Sequence, residues 1–134
     1  AGSAKSPIRR HGGTIFGPQP RSHAFRLNKK TRRLAARSVF AEKFRHDGIM
    51  VLESLDLVDN KTRNLKELLS KLKLPEKVLI VTNEISDNLR LASRNMQGLH
   101  VLSYRSLSVY EMMKHNKVIF LKEALEAYKE RLIR

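Results

Sequence analysis

The sequence predicts a three-layer α/β domain with a mostly parallel four-stranded sheet, preceded by an extended basic arm. Three observations carry that prediction. Short unbroken apolar runs recur at Ile49–Leu52, Val78–Val81 and Val118–Leu121, with a weaker, more polar run at His100–Tyr104. Runs of this kind suit strands covered on both faces. Between them stand segments whose apolar residues repeat at helical spacing. Strands alternating with helices imply βαβ units and hence a parallel sheet. The third observation is at the front of the chain, where Pro7, Gly12, Gly13, Gly17, Pro18 and Pro20 exclude a regular helix.

The elements follow in order. Residues 1–28 read as the arm and 29–134 as the globular domain. Asn28 suits a helix N-cap, and Ala36, Val39, Phe40 and Phe44 after it form an i, i+3, i+4, i+8 stripe. Lys29, Lys30, Arg32, Arg33 and Arg37 fall off that stripe, so the helix is expected to have a core face and a basic flank, with Gly48 as its stop. Leu65, Leu68, Leu69 and Leu72 mark a second helix, capped by Asp59 or Asn60 and ended by Pro75. Ser86 caps a third, presenting Leu89, Ala92 and Met96 and closed by Gly98. The polar character of His100–Tyr104 places that strand near an edge. Ser108 and Glu111 have capping-box spacing over Val109, Met112 and Met113. The last helix buries Ala124, Leu125, Tyr128 and Leu132.

Charge divides the chain at nearly the same place. The 134 residues carry a net charge of +14. Residues 1–45 hold twelve basic side chains and one acid, Glu42, which leaves only +3 for the remainder. A solvated surface normally mixes signs, as the second part does. Eleven unmatched charges repel one another unless a polyanion neutralises them. An anionic membrane would require an amphipathic helix, which the glycines and prolines of the arm forbid, and no apolar run approaches the roughly 20 residues of a membrane span. Nucleic acid is the remaining polyanion. The residues expected to hold it are Lys5, Arg9, Arg10, His11, Arg21, His23, Arg26, Lys29, Lys30, Arg32, Arg33 and Arg37. Phe16 is the stacking candidate. Phe16 and Phe25 suit either stacking on unpaired bases or burial in a hydrophobic pocket.

Catalytic and cofactor chemistries find little support. No glycines follow Ile49–Leu52 or Val78–Val81, where a dinucleotide fold needs them, and there is no phosphate-loop pattern or nucleophile elbow. Cysteine is absent. The histidines His11, His23, His46, His100 and His115 never pair with one another at i, i+3 or i, i+4, so no metal site is expected. His46 and His115 fall at helix C-termini, where the ordinary role is to face the helix dipole or solvent. Glu84 and Asp87 fit a loop and a helix N-terminus better than an acid/base pair. No enzyme, cofactor or small-molecule substrate is expected.

Several separated stretches resemble one family. Gly2-Ser3-Ala4-Lys5-Ser6-Pro7, Arg10-His11-Gly12-Gly13 and Phe16-Gly17-Pro18-Gln19-Pro20-Arg21 are similar to the returning half of the long loop in the bacterial-type large-subunit ribosomal protein L-four family. Leu27-Asn28-Lys29-Lys30 and Arg32-Arg33-Leu34-Ala35 resemble its loop-to-helix junction. Lys77–Thr82, Asp87-Asn88-Leu89, Ala92–Asn95, Val109-Tyr110 and Lys114-His115 match in the same order. The resemblance implies a structural constituent of the large ribosomal subunit that binds large-subunit rRNA, supports assembly and contacts neighbouring ribosomal proteins. It also implies a globular domain on the outer face and a loop reaching the nascent-peptide exit tunnel. It places the family's first strand-and-helix region and the outgoing half of the loop ahead of Ala1. The block Arg21–Phe25 with Leu27–Lys30 resembles alphaproteobacterial and mitochondrial members, which puts the mitochondrial matrix ahead of bacterial cytoplasm or plastid. The alternative from another class is a non-ribosomal protein-binding module with a basic docking arm.

Overall fold

The computed structural model describes residues 5–55, 57, 59–74 and 77–133. The chain builds α1 (Lys29–Arg45), β1 (Ile49–Leu52), α2 (Thr62–Lys71), β2 (Val78–Thr82), α3 (Asp87–Ser93), β3 (Leu99–Ser103), α4 (Val109–Lys114), β4 (Lys117–Leu121) and α5 (Lys122–Ile133). The four strands form one sheet in the order β1-β4-β2-β3, and every pairing is parallel. Ile49 sits opposite Val118, and Val78 opposite both Lys117 and Leu99.

Side chains alternate across the sheet with period two, which creates two cores. Val78, Ile80 and Ile119 point to one face, where they pack with Leu65 of α2 and Leu89 and Ala92 of α3. Leu79, Val81, Val118 and Phe120 point to the other, where they meet Met112 of α4 and Ala124 and Tyr128 of α5, with Val39 and Phe40 of α1 packed against them. Phe40, Phe120 and Tyr128 form a triangle of rings with centroids 5.8–6.0 Å apart. This is the spacing at which aromatic pairs add about 0.5–1.5 kcal/mol beyond area burial. The triangle fixes the basic helix on the sheet.

Several details differ from the sequence reading. β1 is an edge strand, and Val51 is 49% exposed; four consecutive apolar residues do not reveal which strands flank them. β3 is the other edge, as its polarity implied. Phe44 lies 69% exposed, because only Ala36, Val39 and Phe40 of the α1 stripe reach the sheet. Asn28 occupies the N-cap but makes no side-chain cap bond. α1 ends not on a glycine in the left-handed region but on Asp47, at φ 50°. The Gly48 N–H donates to Lys43 O and the Asp47 N–H to Phe44 O, the paired bonds of a Schellman stop. Gly48 serves closeness instead: a Cβ there would stand 3.0 Å from Lys43 O. α2 starts from Lys61, without a side-chain cap, rather than Asp59 or Asn60. Lys73, at φ 49°, follows its end, while Pro75 lies outside the described residues. α3 ends at Ser93, so Met96 packs from the following loop and Gly98, at φ 80°, turns the chain into β3. Ser86 and Ser108 cap α3 and α4 as expected, accepting from the Leu89 and Glu111 N–H groups.

Candidate nucleic-acid interface

The arm, where described, has no regular secondary structure before Lys29. Its first part folds back on itself. Arg9 N–H donates to Ser6 O, Gly12 N–H to Arg9 O and Gly13 N–H to Lys5 O. Gly12 is needed by this local ring: an added Cβ would stand 2.2 Å from Ser6 O and 2.7 Å from Pro7 Cα. Gly13 has no neighbour within 4 Å of such an atom. The turn presents Ile8, Arg9, Arg10 and His11 outward, all exposed.

Lys5, Arg21, His23, Arg26, Lys29, Lys30, Arg32 and Arg33 are exposed too. Phe16 is 93% exposed and Phe25 83%. The chain's own core therefore claims neither ring, which removes an internal pocket as their destination. Residues 1–41 contain no acid.

Arg37, another of the expected contacts, is exposed and also bonds within the chain. Its Nε donates to Leu132 O at 2.8 Å, and its Nη2 reaches Leu132 O and Ile133 O. The guanidinium thus sits on the carbonyl end of α5, the negative pole of that helix. It tethers α1 to α5 across 95 residues.

Sequence reasoning missed a groove at the root of the arm. It is about 1020 Å³ and is lined by Leu27, Lys29, Arg32 and Arg33 on one side and Tyr104, Arg105, Tyr110 and Arg131 on the other. Arg131 Nη1 donates to the carbonyls of Tyr104 and Arg105 at 2.9 and 2.8 Å, which pins the loop after β3. Arg105 Nε donates to the Tyr104 hydroxyl at 3.2 Å, with its guanidinium 5.7 Å from that ring. The hydrogen bond to Tyr104 raises the Arg105 pKa further. Lys114 lies 5.9 Å from the exposed Tyr110 ring in the same manner. No local pattern marked these residues, because Arg105 and Arg131 meet only through the sheet.

Glu84 and Asp87 are both exposed, and Asp87 pairs with Arg90 at 3.2 Å on the first turn of α3, the ordinary role expected. Among the described residues no helix is long and apolar enough to cross a membrane.

An all-parallel α/β domain whose first helix continues outward as an acid-free basic arm is the class of protein that fold and charge define. The chain belongs to the Ribosomal protein L4/L1 family, whose pattern matches residues 1–131. It is 40% identical over 129 residues to the large ribosomal subunit protein uL4 of Brevibacillus brevis, covering 96% of this chain and 62% of that one. It is 39% identical over 130 residues to the protein of the same name from Moorella thermoacetica, covering 97% and 63%. The chain thus spans somewhat over three-fifths of the length of these relatives.

Proposed function

We propose that this chain is a structural constituent of the large ribosomal subunit, a scaffold that holds large-subunit rRNA and performs no catalysis. The acid-free, exposed run of cations from Lys5 to Arg33 carries the reading. Arg9 and Arg10, exposed on the Ser6–Gly13 turn, would pin phosphates that otherwise repel one another. Arginine suits bidentate phosphate contact and lysine acts as a point charge. Phe16 offers a face to an unstacked base. Arg32 and Arg33 continue the track onto α1, and Arg105 across the groove extends it onto the domain. Arg37, exposed on the same helix, combines its bonds to the end of α5 with a place in this cationic track. Family membership and the extended arm support a part in subunit assembly, an approach to the exit tunnel and contact with neighbouring ribosomal proteins. The likeness of Arg21–Phe25 with Leu27–Lys30 to alphaproteobacterial and mitochondrial members favours a mitochondrial ribosome, although both relatives above are bacterial.

Sedimentation of native mitochondrial and cytosolic extracts, with and without RNase, tests this. Co-migration of the chain with the large subunit, lost on RNase treatment or at high salt, is expected, and in the mitochondrial fraction. A small RNase-insensitive species would sink the ribosomal reading in favour of a protein-docking module.

A further inference from the structure

We propose that His100, Glu111 and His115 form a binding site for a divalent transition-metal cation of the zinc class. The three come from different places: His100 from edge strand β3, Glu111 from α4, and His115 from the residue that ends α4. One donor atom from each lies within 4.8 Å of the others. The histidine rings face each other with centroids 5.0 Å apart.

Two features prepare the site for a cation. His115 is 2% exposed, and its Nδ1–H donates to Glu111 O at 2.8 Å. That bond fixes the tautomer, leaving the Nε2 lone pair available, the usual support of a metal-binding imidazole. Lys43 Nζ donates to His115 O at 2.6 Å and holds the backbone. Second, Glu111 Oε2 is buried without a hydrogen-bond partner. Its nearest recorded basic atom is His115 Nδ1 at 3.6 Å. A buried carboxylate oxygen in that state is costly unless a cation meets it.

Two imidazoles and one carboxylate suit zinc and its neighbours better than the oxygen-seeking calcium or magnesium. Tetrahedral donors around zinc stand about 3.3 Å apart, so His100, the exposed member, must swing inward by roughly 1–2 Å. The bound ion ties the end of α4 to the outer strand. The cluster lies toward the N-terminal ends of the strands, whereas the basic groove borders the loop that follows β3, so metal binding and RNA binding are separable.

The test titrates the chelator-treated full chain with Co²⁺, then Zn²⁺. One equivalent of Co²⁺ giving visible d–d absorption, displaced by Zn²⁺, is expected, with a zinc-dependent rise in the thermal midpoint. His100→Ala and Glu111→Gln should each weaken binding by roughly 100-fold or more, and His100→Ala should leave the metal-free midpoint unchanged. Absence of the band would overturn the proposal and leave only the contact between His115 and Glu111. A band surviving in His100→Ala would also overturn it, by placing the metal on other histidines.

Discussion

Tyr128 shows how much one side chain carries. Its ring closes the aromatic triangle under α1, and its hydroxyl reaches only Met112 Sδ, at 3.8 Å. Burial pushes its pKa up, outweighing the opposite pull of Arg131. The neutral phenol is therefore favoured in the folded state. Its contribution to stability is complete below the unfolded pKa of about 10 and is lost as pH rises through the folded value. Thermal unfolding between pH 8 and 11 should find Tyr128→Phe close to the parent at pH 8 and flatter above pH 10. Parallel curves would mean that the hydroxyl is not held in the core. Arg37 teaches a second lesson at this scale. In the sequence it is one more cation on a basic flank, indistinguishable from Arg33. Only the packing of α5 beside α1 turns its fork onto Leu132 and Ile133.

At the scale of elements, β2 is the spine of the fold. It pairs on both sides, and every residue from Val78 to Thr82 is buried. Leu79→Ala removes a fully buried side chain between two paired strands and should cost about 2–5 kcal/mol in chemical denaturation. A loss below 1 kcal/mol would contradict the second core as described. The existence and order of all nine elements were legible, because unbroken apolar runs and i, i+3, i+4 stripes are local signals. Strand order was not. Ile49–Leu52 reads as doubly covered, yet lies at an edge, because β4 returns from far along the chain to sit inside it. Helix ends were half legible. Serine caps announce themselves, whereas Asp47 in the left-handed region is a stop that glycine-reading assigns one residue too late.

The whole molecule is electrostatically lopsided, and that was the most legible feature of the site. The nine basic residues from Lys5 to Arg33 set an upper bound on phosphate contacts by the arm. If all engage, the logarithm of the RNA association constant should fall with the logarithm of salt concentration with a slope of roughly −6 to −8. Arg9→Ala with Arg10→Ala should make the slope shallower by about 1–2 without moving the unfolding midpoint. A parent slope near −2 would remove most of the arm from the interface. The groove beside Arg105 and Arg131 and the cluster at His100 were illegible for separate reasons. The groove joins Arg105 and Arg131, 26 residues apart, through the packing of α5, while the cluster joins the i,i+4 pair Glu111–His115 to His100 of β3, a pairing that a search for histidine pairs alone passes over.

The sheet order also sets a schedule. β4, between β1 and β2, is the last of the four described strands to leave the ribosome that makes this chain, 65 residues after β1 ends. Until Leu121 has emerged, β1 lacks its described partner β4 and the second core lacks Val118 and Phe120. The basic arm is translated more than 85 residues before that point. During synthesis the strongly cationic segment thus emerges while the domain behind it is still unfinished. On the proposed RNA-binding role, prompt capture or shielding of the arm would serve newly made chains before β4 completes the sheet.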